Sequence, residues 1–381
     1  MRVRHILPEF GVIPDDPATD SMSGIVNVAY HLAKLQRENG LYTELVGIQH
    51  NGRHSGSDEP DIIGIKPWRF ARVGAYNYQV YAPMTLRLMF AEPAAINHVH
   101  ANPYHLTMGR AQRRILHLHT PVANVPAAYS RTVRNQAHAV ICCSTFIRDQ
   151  FMSEVEYPEE NVFVIPGGVK VERFRPRDKQ ALRAQLNLPQ DAFIIMYAGQ
   201  INAEKGLLHL VKAIKSLDHA DIHLMVAGSS RLWHSLSSAA DDYERQVIEA
   251  AQDISVTFLG KIPYDTMPDA YGAADALVVP SVWDEPLGTV ALEAIASGLP
   301  VIASDVGGIP DIVRHDETGL LVPRAQPEAI ADAITRLRND ADLRSRLIAT
   351  GLTYARDFAW PRIIERISAV YQHVKVPDAV S

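Results

Sequence analysis

The sequence predicts an α/β protein of two doubly wound domains in tandem, and three observations predict it. Short β-branched runs alternate with helical stretches, the alternation breaks once around residues 166–190, and polar or glycine-rich clusters fall just after the predicted strands. The first series of runs is Val3–Leu7, Ile96–Val99, Ile115–Leu118, Ala139–Cys142 and Val162–Ile165. The second is Phe193–Tyr197, Ile222–Val226, Val256–Leu259, Ala276–Val279 and Val301–Ala303. Of the helices between them, the first runs from Gly24 to Asn39. It aligns Ile25, Val28, Ala29, Leu32 and Leu35 on one face, with Ser23 as N-cap and Gly40 as its stop. The break opens with Pro166-Gly-Gly-Val and continues through Arg173-Phe-Arg-Pro-Arg-Asp-Lys, charged and proline-containing as an interdomain connection is. The expected limits are 1–170 and 171–360, with a helix over 361–381 crossing back to the first domain. In open parallel sheets ligands bind beyond the carboxyl ends of the strands. Gly24, His100, His119, Gly199, Gly228, Gly260, Ser281 and Asp305 all follow a strand, and two such sheets facing each other would enclose a cleft for two substrates.

Composition narrows the classes. The 381 residues are 47% hydrophobic and 21% charged, ordinary values for two globular cores. The net charge of −6 speaks against a nucleic-acid partner. Residues 1–165 carry as many basic as acidic side chains, so the acidic excess lies in the remainder. Arg110, Arg113 and Arg114 cluster, either against an anionic surface or, more plainly, on a solvated helix end. Cys142 and Cys143 are adjacent, a geometry that strains a disulfide, which points to a reducing compartment. The N-terminus lacks the apolar run of a signal peptide, and no stretch of about 18 apolar residues occurs. A cytoplasmic protein without a transmembrane segment is expected.

The most informative segment runs from Val278 to Ala303: strand, loop, helix, strand. Gly288 and Thr289 open the helix, whose exposed amides attract phosphate. Glu285 falls in the loop before it and Glu293 in its second turn. A carboxylate accepts hydrogen bonds from two sugar hydroxyls, so this pair suits a ribose on one side and a donor sugar on the other. The bland alternative is two surface carboxylates favoured by the helix dipole.

Glu285-Pro-Leu-Gly-Thr-Val-Ala-Leu-Glu293, with Glu-Ala-Ile-Ala-Ser-Gly-Leu-Pro-Val-Ile-Ala after it, resembles the Glu-x7-Glu signature of retaining glycosyltransferases of family 4. The resemblance implies the GT-B architecture, two Rossmann-like domains facing a cleft, and transfer from a nucleotide-sugar. By position, Glu293 would bind the ribose and Glu285 the donor sugar. The amides of Leu287, Gly288 and Thr289 would face the diphosphate and sugar. Ala198-Gly-Gln-Ile-Asn-Ala-Glu-Lys-Gly206 is similar to the family's Gly-Arg-Leu-x-x-Glu-Lys-Gly, so Lys205 would bind the diphosphate. Gln200 stands where the family has arginine, and a neutral amide does not replace a charged fork. Ser21-Met-Ser-Gly-Ile-Val resembles the family's N-terminal glycine loop, with Gly24 approaching the donor phosphate or simply opening a helix. Ala227-Gly-Ser-Ser, through Gly228, and Leu259-Gly-Lys-Ile262 resemble loops beside the nucleotide base. Ile165-Pro-Gly-Gly-Val-Lys-Val-Glu-Arg-Phe reads as interdomain structure with Phe174 packing, and Gly307-Gly-Ile-Pro-Asp as packing beside the donor region.

Asn97-His-Val-His-Ala-Asn and Leu116-His-Leu-His-Thr-Pro place histidines in pairs on strand faces. No Asp, Glu or Cys stands at ligand spacing beside them, so no metal is expected. The resemblance gives His119 a contact with the donor sugar or phosphate. His100, with Asn102, is a candidate on the acceptor side.

The expected activity is therefore retaining transfer of a hexosyl group, with His119, Lys205 and Glu285 at the reacting centre. No carboxylate pair of the kind retaining glycosidases use is supported by the motifs. The resemblance implies same-face transfer driven by orientation and stabilisation of the leaving charge, without a cofactor. UDP is the family's commonest donor nucleotide, with GDP and ADP as alternatives. The acceptor would be a small molecule, a glycan or a lipid-linked group. The acidic loop Pro14–Asp20 suits a cationic acceptor or a solvated surface, and Trp68, Phe70, Tyr76, Tyr78 and Tyr81 a sugar-stacking wall or ordinary core. The competing readings are a GT-B phosphorylase, a sugar-nucleotide epimerase, and a sugar-nucleotide-binding protein without turnover, the last kept open by Gln200.

Overall fold

The computed structural model of the chain describes residues 1–8, 11–14, 24–49, 59–66, 78–217, 221–229 and 238–374. Ser23, residues 15–20 of the acidic loop, Trp68, Phe70, Tyr76 and Ser230 lie outside these, as do the side chains of Tyr78 and Tyr81. The chain divides into two compact units, Met1–Gly168 with Trp360–Ser381, and Val169–Ala359.

The first unit contains β1 (Arg2–Ile6), α1 (Gly24–Glu38), β2 (Tyr42–Ile48), β3 (Asp61–Ile65), α2 (Tyr78–Met89), β4 (Ala94–His100), β5 (Ala111–Leu118), α3 (Ala127–Gln136), β6 (Ala139–Cys142), α4 (Thr145–Glu154) and β7 (Val162–Val164). Its sheet has the order β3-β2-β1-β4-β5-β6-β7, and every pairing is parallel. The second unit contains α5 (Lys179–Gln185), β8 (Phe193–Ala198), α6 (Leu207–Ser216), β9 (Ile222–Ala227), α7 (Ser238–Ala250), β10 (Val256–Gly260), α8 (Met267–Ala273), β11 (Ala276–Val279), α9 (Thr289–Ala296), β12 (Val301–Ser304), β13 (Gly319–Val322), α10 (Pro327–Asn339) and α11 (Ala341–Ala355). Its sheet, β10-β9-β8-β11-β12-β13, is also wholly parallel and repeats the same doubly wound order. Helix α12 (Trp360–His373) follows and belongs to the first unit.

Parallel strands must be covered on both faces, which is why runs such as β6, β8 and β11 are apolar rather than alternating. In the first unit Val3, Ile96, Ile115 and Ile141 pack with Leu32 of α1 and with Trp360, Ile363, Ile364, Ile367, Val370 and Tyr371 of α12. The helical spacing of that α12 stripe returns the chain end to the first sheet, each fully buried side chain contributing about 1.5–3 kcal/mol. Among the described residues no helix is long and apolar enough to cross a membrane.

Doubly wound sheets place their functional crevice where the strand order reverses. That point lies between β1 and β4 in the first unit and between β8 and β11 in the second.

Candidate functional site

In the second unit a cavity of about 80 Å³ opens at the carboxyl ends of β8 and β11. Tyr197, Gly199, Lys205, Ser281, Glu285 and Thr289 are among the residues lining it. Lys205 arrives on a short 3₁₀ turn, Ala203–Lys205, capped by the Asn202 side chain accepting from the Lys205 amide at 3.0 Å. Gly206 ends the turn in the left-handed conformation. Lys205 Nζ donates to Glu285 Oε1 at 2.6 Å, and Ser281 Oγ donates to the same oxygen at 2.7 Å. Oε2 of Glu285 has no partner among the described residues. Lys205 also lies over the ring of Trp283, 5.0 Å from its centroid, a cation–π contact that steadies the ammonium.

Gly288, at φ 86°, turns the chain into α9. The amides of Leu287, Gly288 and Thr289 have no hydrogen-bond partner among the described residues. They form a helix start with open donors, and Gly288 and Thr289 line the same cavity as Lys205 and Glu285. Gln200 does not supply a second charge: its backbone carbonyl accepts from the Tyr197 hydroxyl at 2.6 Å. Lys205 is the one cation lining the cavity among the described residues.

Gly199 and Gly228 stand where the loops after β8 and β9 touch; a Cβ on Gly228 would come within 1.8 Å of the Gly199 carbonyl oxygen. Ile262, two residues beyond β10, is part-buried, and neither it nor Gly228 lines the cavity. In the first unit Gly24 opens α1 and is exposed, with nothing near a Cβ built there.

Glu293 sits one turn into α9, part-buried, and accepts from the Tyr271 hydroxyl at 2.9 Å. Burial pushes its carboxyl up to about 7, against hydrogen bonds from Tyr271 and Tyr264 that favour the ionised form. The two tyrosines are in turn held by Phe174, which is fully buried, with ring centroids 5.6 Å from Tyr264 and 6.0 Å from Tyr271. A carboxylate has about four acceptor positions, so room for two ribose hydroxyls remains.

The Gly307-Gly motif holds Glu285 from behind. Gly308 N donates to the Glu285 carbonyl at 2.7 Å, and a Cβ on Gly307 would stand 2.2 Å from that oxygen. Gly307 is also at φ 56°. Gly307→Ala is therefore expected to cost at least about 2 kcal/mol, from left-handed strain and the clash together. A thermal melt unchanged by this substitution would show that the backbone around Glu285 yields freely.

In the first unit the sequence-predicted histidines come together. His100 is paired with His117 across β4 and β5, and His5 with His98 across β1 and β4. His100 is fully buried with both ring nitrogens engaged, Nε2 with His5 Nδ1 at 3.2 Å and Nδ1 with His119 Nε2 at 2.9 Å. Its side chain touches His119 and not solvent. Asn102 caps the 3₁₀ helix Pro103–Thr107, accepting from Tyr104 N at 3.0 Å. His119 alone of the cluster is part-exposed. Two trios, His5-His98-His100 and His100-His117-His119, bring nitrogens within 4.8 Å of one another, a spacing that a divalent ion could bridge. The His5–His100 and His100–His119 contacts engage both nitrogens of His100 within the cluster, and among the described residues neither trio includes a carboxylate to offset an ion's charge.

Several site residues escaped the sequence reading. In the sequence Ser281 is marked only by its place after a strand. Tyr264, Tyr271 and Trp283 carried no motif. His5, next to the first strand's end, was visible in the Arg4-His5-Ile6 run but had no partner to mark it. Gln36 and His31 are polar residues among the buried positions of α1, a local anomaly that the sequence carries.

Comparison with known proteins places the chain among glycosyltransferases. Residues 178–353 match the family model described as glycosyl transferases group 1, and residues 22–173 match that of glycosyltransferase family 4. A D-inositol 3-phosphate glycosyltransferase of Catenulispora acidiphila is 34% identical over 65% of this chain and 58% of its own length. One from Stackebrandtia nassauensis is 30% identical over 73% of this chain and 64% of its own. The chain thus spans somewhat more than half the length of the curated relatives it matches. Among solved structures, sucrose-phosphate synthase from Thermosynechococcus elongatus superposes with a TM-score of 0.81 at 23% identity, covering 98% of this chain and 99% of that one. The Anabaena protein HepE in complex with UDP-glucose gives 0.78 at 17% identity over 97% and 99%. With two Rossmann-like units of the same strand order, the Glu285–Glu293 helix start and both family models, the chain belongs to the group 1, family 4 type of glycosyltransferases with the GT-B fold.

Proposed function

We propose that this protein is a retaining glycosyltransferase that moves a hexosyl group from a nucleotide-sugar, UDP-linked by preference, to a hydroxyl of a small-molecule, glycan or lipid-linked acceptor. The observation that carries this reading is the Lys205–Glu285 pair beside the open amides that begin α9. Lys205 and those amides neutralise the departing diphosphate, and Glu293 takes the ribose. The free Oε2 of Glu285 receives a sugar hydroxyl. The loops at Gly199, Gln200, Gly228 and Ile262 border the nucleotide. The acceptor oxygen bonds to the anomeric carbon on the face the phosphate leaves, and its proton passes to a phosphate oxygen. The residues then supply orientation and charge stabilisation rather than a covalent intermediate. No step needs a metal, so transfer persists in a chelator. His119, part-exposed beyond β5, is the substrate-facing member of the first unit's cluster. The buried free thiols of Cys142 and Cys143 support a cytoplasmic setting.

Thermal shift with UDP, GDP and ADP tests the site. UDP at about 100 times its Kd is expected to stabilise by about 2.7 kcal/mol. Slow hydrolysis of the matching sugar nucleotide then separates a transferase from a phosphorylase. Stabilisation without turnover on any acceptor favours a binding protein, the reading that the single cation of the cavity keeps in play. No shift with any nucleoside diphosphate overturns the proposal.

A further inference from the structure

The buried histidines of the first unit form two hydrogen-bonded chains that start from one amide. In the first, Gln36 Oε1 lies 2.9 Å from His5 Nε2, and the chain continues through His100 to His119. In the second, Gln36 Nε2 donates to the Tyr371 hydroxyl at 3.2 Å, that hydroxyl lies 2.6 Å from His98 Nδ1, and His98 Nε2 lies 3.0 Å from His117 Nδ1. Gln36, His5, His98 and His100 are fully excluded from solvent, and His117 and Tyr371 nearly so. Burial holds the imidazoles neutral: it lowers His5 to about 4 and His119 to about 3, and takes His98, His100 and His117 well below the usual range.

A neutral imidazole has one N–H and one bare nitrogen. An amide oxygen only accepts, so His5 must carry its proton on Nε2 and present a bare Nδ1. His100 then donates from Nε2 and is bare at Nδ1. His119 in turn donates from Nε2 and is bare at Nδ1, the nitrogen that has no partner among the described residues. The direction depends on which way the Gln36 amide points, and the distances decide it. The 2.6 Å contact has the length of a hydroxyl donating, here to His98 Nδ1. The 3.2 Å contact suits an N–H donor; with the amide reversed it would be an O–H···O bond longer than the usual 2.5–3.0 Å.

We propose that Gln36, acting through His5 and His100, is a positioning residue that locks His119 in the Nε2–H tautomer, so that its open nitrogen Nδ1 is purely an acceptor. The ligand group matched to it is a hydroxyl. A phosphate oxygen, itself an acceptor, would face the bare lone pair unfavourably. The second chain anchors the amide: Tyr371 gives Gln36 Nε2 its only acceptor among the described residues, and without it the amide would be free to turn and reverse both chains. Its far end, His117 Nε2, is buried without a partner, so the second chain delivers nothing outward and serves as the reference.

Long-range ¹H–¹⁵N correlation on ¹⁵N-histidine-labelled full-length protein, recorded in a chelator, tests this. The wild-type spectrum is expected to show His119, assigned by His119→Gln, as a single Nε2–H tautomer. In Gln36→Met, which removes the acceptor while keeping the volume, His119 is expected to show both tautomers. A wild-type His119 protonated on Nδ1, or a Gln36→Met spectrum with His119 unchanged, overturns the assignment. The wild-type measurement needs no variant to fold. The hydroxyl preference rests on the proposed reading that His119 faces substrate, but the spectrum needs no substrate, so a chain that transfers no sugar leaves the tautomer result standing.

Discussion

Glu293→Ala is expected to weaken nucleoside diphosphate binding about 100-fold or more, measured by calorimetry at pH 8. On the proposed reading the carboxylate accepts from two ribose hydroxyls, and hydrogen bonds to a charged group contribute about 1.5–3 kcal/mol each. The structure adds a pH signature. Ribose hydroxyls favour the ionised carboxylate, while burial has raised Glu293 to about 7. Affinity should therefore rise as pH increases from 6 to 8, with a proton released on binding near pH 7. The effect on folding has the opposite sense. A carboxyl raised in the folded state contributes fully below its unfolded value near 4.5, and the contribution is lost as pH rises through about 7. Glu293→Gln should accordingly be more stable, relative to wild type, at pH 8 than at pH 5. Unchanged affinity in Glu293→Ala would remove the ribose assignment and leave Glu293 as a partner of Tyr271 alone.

Lys205→Ala is expected to lower turnover by about 100- to 1000-fold, the effect of removing one preorganised donor from a developing charge. Stability falls as well, because Glu285 keeps only Ser281 on Oε1 and its side chain is 8% exposed. The double variant Lys205→Ala/Glu285→Gln separates the two effects. It should recover the melting temperature, since no buried carboxylate is left unpaired, and remain inactive. Recovery of turnover along with stability would make Lys205 a structural counter-ion. Gln200 stands where the family has arginine, so on the proposed reading Lys205 would carry the diphosphate charge with less help than in its relatives, and the loss is expected at the upper end of that range.

Much of the strand pattern could be read directly. The runs at β6, β7, β8 and β11 are uninterrupted and apolar, as buried parallel strands require, and β1, β4, β5 and β9 keep a β-branched or aliphatic frame around polar residues such as Arg4, His98, His117 and His223. β2, β3 and β13 could not be read so. Tyr42-Thr-Glu-Leu-Val-Gly-Ile is broken by Glu44, whose burial makes sense only once Arg4 stands 2.7 Å away. β3 is a short edge strand that remains half-buried, and β13 opens on glycine. These elements depend on neighbours distant in sequence, and no local period announces them.

By itself the sequence determined what short-range order can encode. Alternating runs set two parallel sheets, and the eight-residue spacing from Glu285 to Glu293 set a loop carboxylate and a helix carboxylate around one helix start. The tertiary structure decided how those groups are charged and held. Glu285 became half of an ion pair because Lys205, on the loop after β8, reaches it at 2.6 Å. Glu293 became a raised, tyrosine-bonded acid because α8 packs beside α9 and Phe174 backs both tyrosines. His100 became an internal link rather than a surface group because β1, β4 and β5 align in register. The Gln36–Tyr371 bond that orients the histidines joins residues 335 positions apart. Hydrogen-bond direction and burial are properties of such meetings, and they exist only once both units have folded.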